Sequence, residues 1–308
     1  MTATDGRLSW LERRRGGVGA SDVPVLMGKA PGHWASPYSI WAEKVGLTPI
    51  TEESSPAQRV GQMLEPLIAE LFEAETGLYV AGEQMMIWRP GEPHFATVDG
   101  LVVESDQSSI TDALGVFEAK YTTEPLGPWE AEHLEQYTIQ ANWAMHCADL
   151  DHAWLVVLCR STLHVYELER DQPLIDEAVA VADRFWDYVE RRESPPADGT
   201  RATTRALLAV HPTSTEDQGV EVDPEALDEL RALREARARL DDAVAERENA
   251  LREALGDHAY GRVGGRLAVS WKAQTSHRVD TKAVRRDHGH AYDTESTTRV
   301  LRYHGEAR

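Results

Sequence analysis

Residues 95–120, FATVDGLVVESDQSSITDALGVFEAK, decide the fold. Two apolar runs, 95–104 and 114–120, read as strands separated by a Ser- and Asp-rich loop. Glu118 and Lys120 stand two apart on the second run, and a period of two puts both side chains on one face. Asp99 ends the ATVD segment of the neighbouring run. Two carboxylates and an ammonium arranged in this way suit metal-assisted phosphodiester cleavage. The carboxylates offer hard oxygen donors to a divalent cation, and the lysine orients or deprotonates the attacking water and offsets phosphate charge. The bland alternative is a plain Asp99-Gly100 turn beside a solvated strand edge. Basic residues here are mostly Arg, and Lys120 is one of only five lysines, placed where a compact, tunable ammonium is wanted.

Outward from this stretch, 84–88, 154–160 and 163–167 also read as strands, bounded by Gly, Pro, Asp or Ser. The order helix, helix, helix, several strands, helix, strands, helix predicts an α/β or α+β domain with a mixed sheet of about five strands. ESPPADGT at 193–200 and the polar run after it mark a boundary. The expected organisation is a main domain over 1–195, a linker over 196–223, a long helix or coiled coil over 224–256, and a small basic β-containing segment over 257–308. In the long helix Leu230, Leu233, Leu240, Val244 and Leu251 have heptad-compatible spacing, but Arg237 and Arg247 interrupt the seam. This favours packing on its own domain or a neighbour over an isolated dimeric coil. In the tail, strands are expected at 265–272 and 299–304.

The 308 residues carry 32 basic and 52 acidic side chains, a formal charge of -20. That excludes a generic basic nucleic-acid coat. Residues 1–200 alone hold 14 basic and 33 acidic side chains, a charge of -19. A site there that engages a polyanion must work through a local patch or through cations held between carboxylates. No stretch has the apolar length of a membrane span, and the first residues lack an apolar signal core. Two cysteines, Cys147 and Cys159, exclude a disulfide framework and a four-cysteine zinc or iron-sulfur site within one chain. A soluble protein of the reducing cytoplasm is expected.

Further candidates lie on the flanking helices. Val60, Met63, Leu64, Leu67, Ile68, Leu71 and Phe72 follow helical spacing, so their face is expected in the core, with a break or kink at Pro66. Glu65 reads either as a solvated side chain or as a third carboxylate aimed at the site. Residues 129–148 predict a helix burying Tyr137, Ala141, Ala144, Met145 and Ala148. Gln140, one turn beyond Tyr137, is either a surface residue or a neutral donor to a carboxylate or phosphate. At the N-terminus, RRRGGVGASD reads either as a phosphate cradle of arginines, flexible glycines and Ser21, or as a solvated run followed by a helix cap near Asp22.

Taken together, GVGASDVPVLMG, SPYSIWAEKVGL, GQMLEPLIAELFEAETG, ATVDGLV, VFEAK and YTIQANWAM resemble, in order, the blocks of the YqaJ-like viral recombinases. These belong to the lambda-exonuclease branch of the PD-(D/E)xK nuclease superfamily, and the resemblance covers roughly residues 13 to 160. It implies a restriction-endonuclease-like α/β core, with a mixed central sheet flanked by helices. It makes Asp99 and Glu118 metal ligands, Glu65 a further acidic residue of the metal centre, Lys120 the catalytic lysine, and Gln140 the motif glutamine. Tyr137 becomes the aromatic one turn before Gln140. Arg14 and Ser21 fall where related exonucleases hold a terminal 5'-phosphate, the choice among Arg13, Arg14 and Arg15 being left open.

The expected function is a Mg²⁺- or Mn²⁺-dependent exonuclease of phage recombination type, using two ions and no iron-sulfur cluster. It would resect double-stranded DNA ends 5' to 3' and leave single strand for an annealing protein. The resemblance also implies a homo-oligomer, with a trimer favoured, and no membrane association. The rivals are an endonuclease on the same core and a non-enzymatic acidic coiled-coil protein that mimics DNA.

Overall fold

Both apolar runs around Asp99 and Glu118 form strands in the computed structural model, which describes residues 3–49, 55–82, 84–215, 219–276, 281–289 and 291. The chain divides into two units, Met1–Pro212 and Thr213–Arg308. The first begins with α1 (Ala3–Arg14), β1 (Val18–Gly19), α2 (Val23–Leu26), α3 (Pro37–Lys44) and α4 (Pro56–Thr76). Strands β2 (Tyr79–Ala81), β3 (Met85–Trp88), β4 (His94–Val98), β5 (Gly100–Val103) and β6 (Gly115–Thr122) follow. The unit closes with α5 (Leu126–Ala148), β7 (His152–Cys159), β8 (Thr162–Glu169), α6 (Gln172–Arg191) and α7 (Arg201–Val210).

Five strands form a mixed sheet in the order β2-β5-β6-β7-β8, and β1-β4-β3 form a second. β6 and β7 run parallel, a pairing that needs a crossover, and α5 supplies it. Along β6, Phe117 and Ala119 pack with Ile68 and Phe72 of α4. Val116 joins the core that includes Ile139, Ala141 and Trp143 of α5. Period two therefore puts Glu118 and Lys120 on the α5 face.

The run 95–104 is two strands rather than one, because the chain leaves the second sheet at Asp99 and enters the first at Gly100. A Cβ at Gly100 would lie 2.4 Å from Val80 Cγ1, so the crossing requires glycine. The expected break at Pro66 is absent, since α4 runs for 21 residues through it. Ser55 and Gln58 form a capping box, and Gly77 closes the helix at φ 75. Packing of Leu64, Ile68 and Phe72 on the sheet holds the middle. The apolar face is only partly core. Val60, Met63, Leu67 and Leu71 are exposed, Met63 at 80%, because the stripe is wider than the face the sheet covers.

The expected linker over 196–223 contains α7, whose Ala202, Thr203 and Ala206 are buried. Thr203 Oγ1 donates to Ser36 Oγ at 2.7 Å, tying α7 to the cap of α3. The polar composition of the region hid the short buried face.

In the second unit, α8 (Pro224–Leu255) is capped by Asp223 and ends at Gly256, φ 51. Leu233, Leu240, Val244 and Leu251 are all more than half exposed. β9 (Tyr260–Val263) and β10 (Arg266–Ser270) form an antiparallel hairpin. The strand expected at 265–272 therefore pairs with its immediate upstream neighbour. The turn is Gly264-Gly265, both at positive φ, a two-residue hairpin signal. The other strand expected, 299–304, lies outside the described residues. α9 (Thr281–His288) follows. Among the described residues no helix is long and apolar enough to cross a membrane.

Candidate active site

Glu118 sits in the middle of β6, 3% exposed, and its Oε1 accepts from two sides. Gln140 Nε2 donates to it from α5 at 2.6 Å, and Lys120 Nζ donates to it along the strand. Lys120 Nζ also donates to the Ala119 carbonyl at 3.1 Å and lies 4.9 Å from the centre of the Tyr137 ring. Tyr137 is itself stacked on Trp129. The ammonium is thus positioned by a carboxylate, a carbonyl and an aromatic face.

Asp99, at the switch between the two sheets, accepts from the Ala119 backbone amide through Oδ2 at 2.9 Å. Its carboxylate is therefore anchored between Glu118 and Lys120. Glu65 comes from α4 and accepts from Gln84 Nε2 at 2.9 Å. Gln84 is held by its own backbone, whose amide faces the Asp99 carbonyl at 3.3 Å.

The electrostatics follow from crowding. Burial pushes the Glu118 pKa up to about 7; Lys120 opposes the rise, while Asp99 and Glu65 add to it. Burial alone would lower Lys120, but Glu118, Asp99 and Tyr137 outweigh it and hold the ammonium above the ordinary lysine value. Glu65 is also raised, by burial first and then by Asp99. Three carboxylates beside one ammonium leave excess negative charge in a partly buried site. Their oxygens are the hard donors that Mg²⁺ or Mn²⁺ take, so the residues present fit a divalent cation.

These groups line a cavity of about 780 Å³ together with Arg14 and Ser21. Seven of the eight residues expected from the sequence thus share one cavity, while Tyr137 lies beneath Lys120 in an adjoining hollow. Arg14 donates to Ser21 Oγ at 3.3 Å, and its guanidinium lies over the Trp10 ring. Arg15 instead reaches the Thr48 carbonyl and Arg13 is exposed, so Arg14 is the one of the three at the cavity. Two of the glycines are also required by packing. A Cβ at Gly17 would lie 2.5 Å from the Pro93 carbonyl, and one at Gly19 would lie 2.7 Å from the Phe95 ring. Their close approach is to the chain around β4, with which β1 pairs in parallel.

Sequence reasoning missed the pair beneath this segment. Lys44 Nζ meets Asp22 Oδ2 at 2.8 Å, almost wholly buried, and donates to the Arg14 carbonyl at 2.9 Å. Burial works to raise the Asp22 pKa, but Lys44 and Arg14 together bring it below the usual carboxylate value. The signal available was Lys44 itself, a scarce lysine inside an apolar helix. Gln84 carried no comparable signal.

Residues 9–151 match the YqaJ-like viral recombinase domain, a span that contains every residue of this site. YqaJ of Bacillus subtilis (strain 168), an uncharacterized protein, is 28% identical over 290 residues, which cover 91% of this chain and 87% of that protein. Among solved structures, an alkaline exonuclease, LHK-Exo, from Laribacter hongkongensis is 24% identical, with a TM-score of 0.47 over 60% of this chain and 93% of that one. A phage related exonuclease from Haemophilus somnus 129PT is 16% identical, with a TM-score of 0.43 over 57% and 96%.

Proposed function

With residues 9–151 identified as a YqaJ-like viral recombinase domain, we propose that the chain is a Mg²⁺- or Mn²⁺-dependent DNA exonuclease acting in the cytoplasm. It resects duplex ends 5' to 3' and leaves single strand for an annealing protein. The observation that carries this reading is the convergence of Asp99, Glu118, Lys120 and Gln140 on the floor of a cavity whose wall holds Arg14 and Ser21. Asp99 and Glu118, with Glu65 beside them, would hold the metal, as two ions. When bound, such ions lower the pKa of water and stabilise charge on the leaving oxygen.

The chain's own groups divide the remaining work. Gln140 orients the Glu118 carboxylate without adding charge. The Ala119 amide does the same for Asp99. Lys120, whose ammonium form its neighbours favour, orients or deprotonates the attacking water and offsets phosphate charge. Arg14 meets the terminal 5'-phosphate, which carries more charge than an internal diester, and Ser21 adds a hydroxyl donor. The exposed apolar residues Val60, Met63, Leu67 and Leu71 of α4 support a homo-oligomer, and the family resemblance favours a trimer.

Digestion of an end-labelled linear duplex, with and without Mg²⁺ and followed at both strand ends, tests the reading. Metal-dependent loss from 5' ends is expected. Cutting of a covalently closed circle would overturn end dependence in favour of an endonuclease, and no hydrolysis in either metal would overturn the enzyme.

A further inference from the structure

A second group of ligating side chains lies outside the catalytic cavity. Glu92, just before β4, His94, its first residue, and His146 of α5 converge. Glu92 Oε2 is 2.8 Å from His94 Nδ1 and 3.4 Å from His146 Nε2. The two ring nitrogens are 3.4 Å apart. For a tetrahedral ion with bonds of about 2.0–2.1 Å to N and O, ligand atoms stand about 3.3–3.4 Å from one another. Two of the three separations match the edges of one such face, and the third, between Glu92 and His94, is about 0.5 Å shorter, a hydrogen-bond distance that an ion would open.

The surroundings are those of a ligating histidine. His94 Nε2 faces Asp183 Oδ1 of α6 at 3.0 Å, so each ring nitrogen of a 1%-exposed histidine meets a carboxylate. A neutral imidazole has one N–H and can donate to only one of them. With the proton on Nε2, shared with Asp183, the lone pair on Nδ1 points at the place where Glu92 and His146 converge. That is the carboxylate–histidine–metal relay. Trp143 packs on both rings, with centroids 4.7 Å from His94 and 5.3 Å from His146, which fixes their planes. Arg89 bonds the His146 carbonyl and Asp149 and so holds the end of α5.

We infer that Glu92, His94 and His146 bind a borderline divalent cation of the Zn²⁺ class, oriented by Asp183 and distinct from the catalytic metal. Two imidazoles and one carboxylate suit Zn²⁺ or Co²⁺ better than Mg²⁺, which takes oxygen. Glu92 is the half-exposed member and gives the ion its path to solvent; water completes the coordination. None of the three ligands lines the catalytic cavity. The ion fastens the beginning of β4, the strand that runs into Asp99, to the helix that carries Gln140. Its role is therefore to clamp the frame of the site.

The full-length protein carrying Asp99→Asn and Glu118→Gln, which disables the carboxylate site, is dialysed against Zn²⁺ and then metal-free buffer, and its zinc is measured. About one equivalent per chain is expected to remain. Co²⁺ in its place should give the visible absorption of a low-coordinate nitrogen- and oxygen-ligated ion. Glu92→Gln and His146→Asn should lose both signals, and Asp183→Asn should weaken affinity by roughly 10–100-fold. Glu92 is half exposed, so its variant keeps the test sound even where His146→Asn misfolds. No retained zinc and no Co²⁺ spectrum in the folded protein would overturn the site and leave a proton-bridged cluster. Full retention in Glu92→Gln and His146→Asn would place the ion elsewhere and overturn it equally.

Discussion

β4 begins among imidazoles at His94 and leads to the carboxylates at Asp99, and α5 carries one residue to each place, His146 to the first and Gln140 to the second. The two ends share a strand and a helix yet offer different chemistry. At the Asp99 end, oxygen donors and an ammonium face a cavity of about 780 Å³, where a weakly held, exchangeable cation and a phosphate can enter. At the His94 end the rings are fixed by Trp143 and Asp183, and solvent arrives through Glu92. On the two proposals above, donor hardness and access divide the labour: the open oxygen end would turn over substrate, and the closed nitrogen end would hold the frame.

The largest effect separates the two ends outright. Asp99→Asn, Glu118→Gln and Lys120→Ala should each lower hydrolysis of linear duplex by at least roughly 10²–10³-fold, as removal of one group that meets developing charge does elsewhere. Zinc content should stay unchanged and circular dichroism should report a folded chain. A folded Lys120→Ala protein with near-unmodified rate would break the assignment.

Gln140→Ala should come next, with a loss of about tenfold to a hundredfold, the worth of one hydrogen bond to a charged group. It should also raise the Mg²⁺ concentration needed for half-maximal rate, since the bond it removes orients Glu118. An unchanged metal requirement would confine Gln140 to packing.

Arg14→Ala should erase a preference of about tenfold for 5'-phosphate over 5'-hydroxyl ends, with the rate on single-stranded DNA retained. Equal rates on both ends in the unmodified protein would remove the phosphate role and leave Arg14 as a wall of the cavity.

The smallest effect is on stability. Glu118 is raised in the folded chain from an ordinary 4.5 to about 7, so its protonated form is the favoured one. Its contribution is present below about pH 4.5 and is lost as pH rises through about 7. On the proposed reading, Mg²⁺ held by the ionised carboxylate would restore what ionisation removes. It should therefore raise the melting temperature by a few degrees more at pH 8 than at pH 5. Equal Mg²⁺ shifts at both values would show that Glu118 does not face the ion.

Local pattern made part of this legible before any coordinates. Period two on VFEAK placed Glu118 and Lys120 on one face, and they are bonded to each other there. Helical spacing marked the helix around 60–72, and Ala, Leu, Glu and Arg density marked α8. What failed were features in which a local pattern has two tertiary outcomes. The run 95–104 alternates equally well as one strand or two, and the switch at Asp99 is set by Gly100 passing under Val80. The stripe on α4 reads as core throughout, but the width of the sheet decides that Met63 stays outside.

By itself, then, the sequence determined most of the longer elements, the acidic balance of the first 200 residues, and the shared face of Glu118 and Lys120. All of these depend on neighbours within a few positions. Tertiary structure decided which of three arginines reaches the cavity, that Gln84 steadies Glu65, that Lys44 and Asp22 pin the segment under Arg14, and that Glu92, His94, His146 and Asp183 meet. Those residues stand 19, 22 and up to 91 positions apart in the chain. Contacts between separate elements, such as His146 of α5 against His94 of β4 and Lys44 of α3 against Asp22, bring such positions together, and these leave no periodic trace in the residues they join.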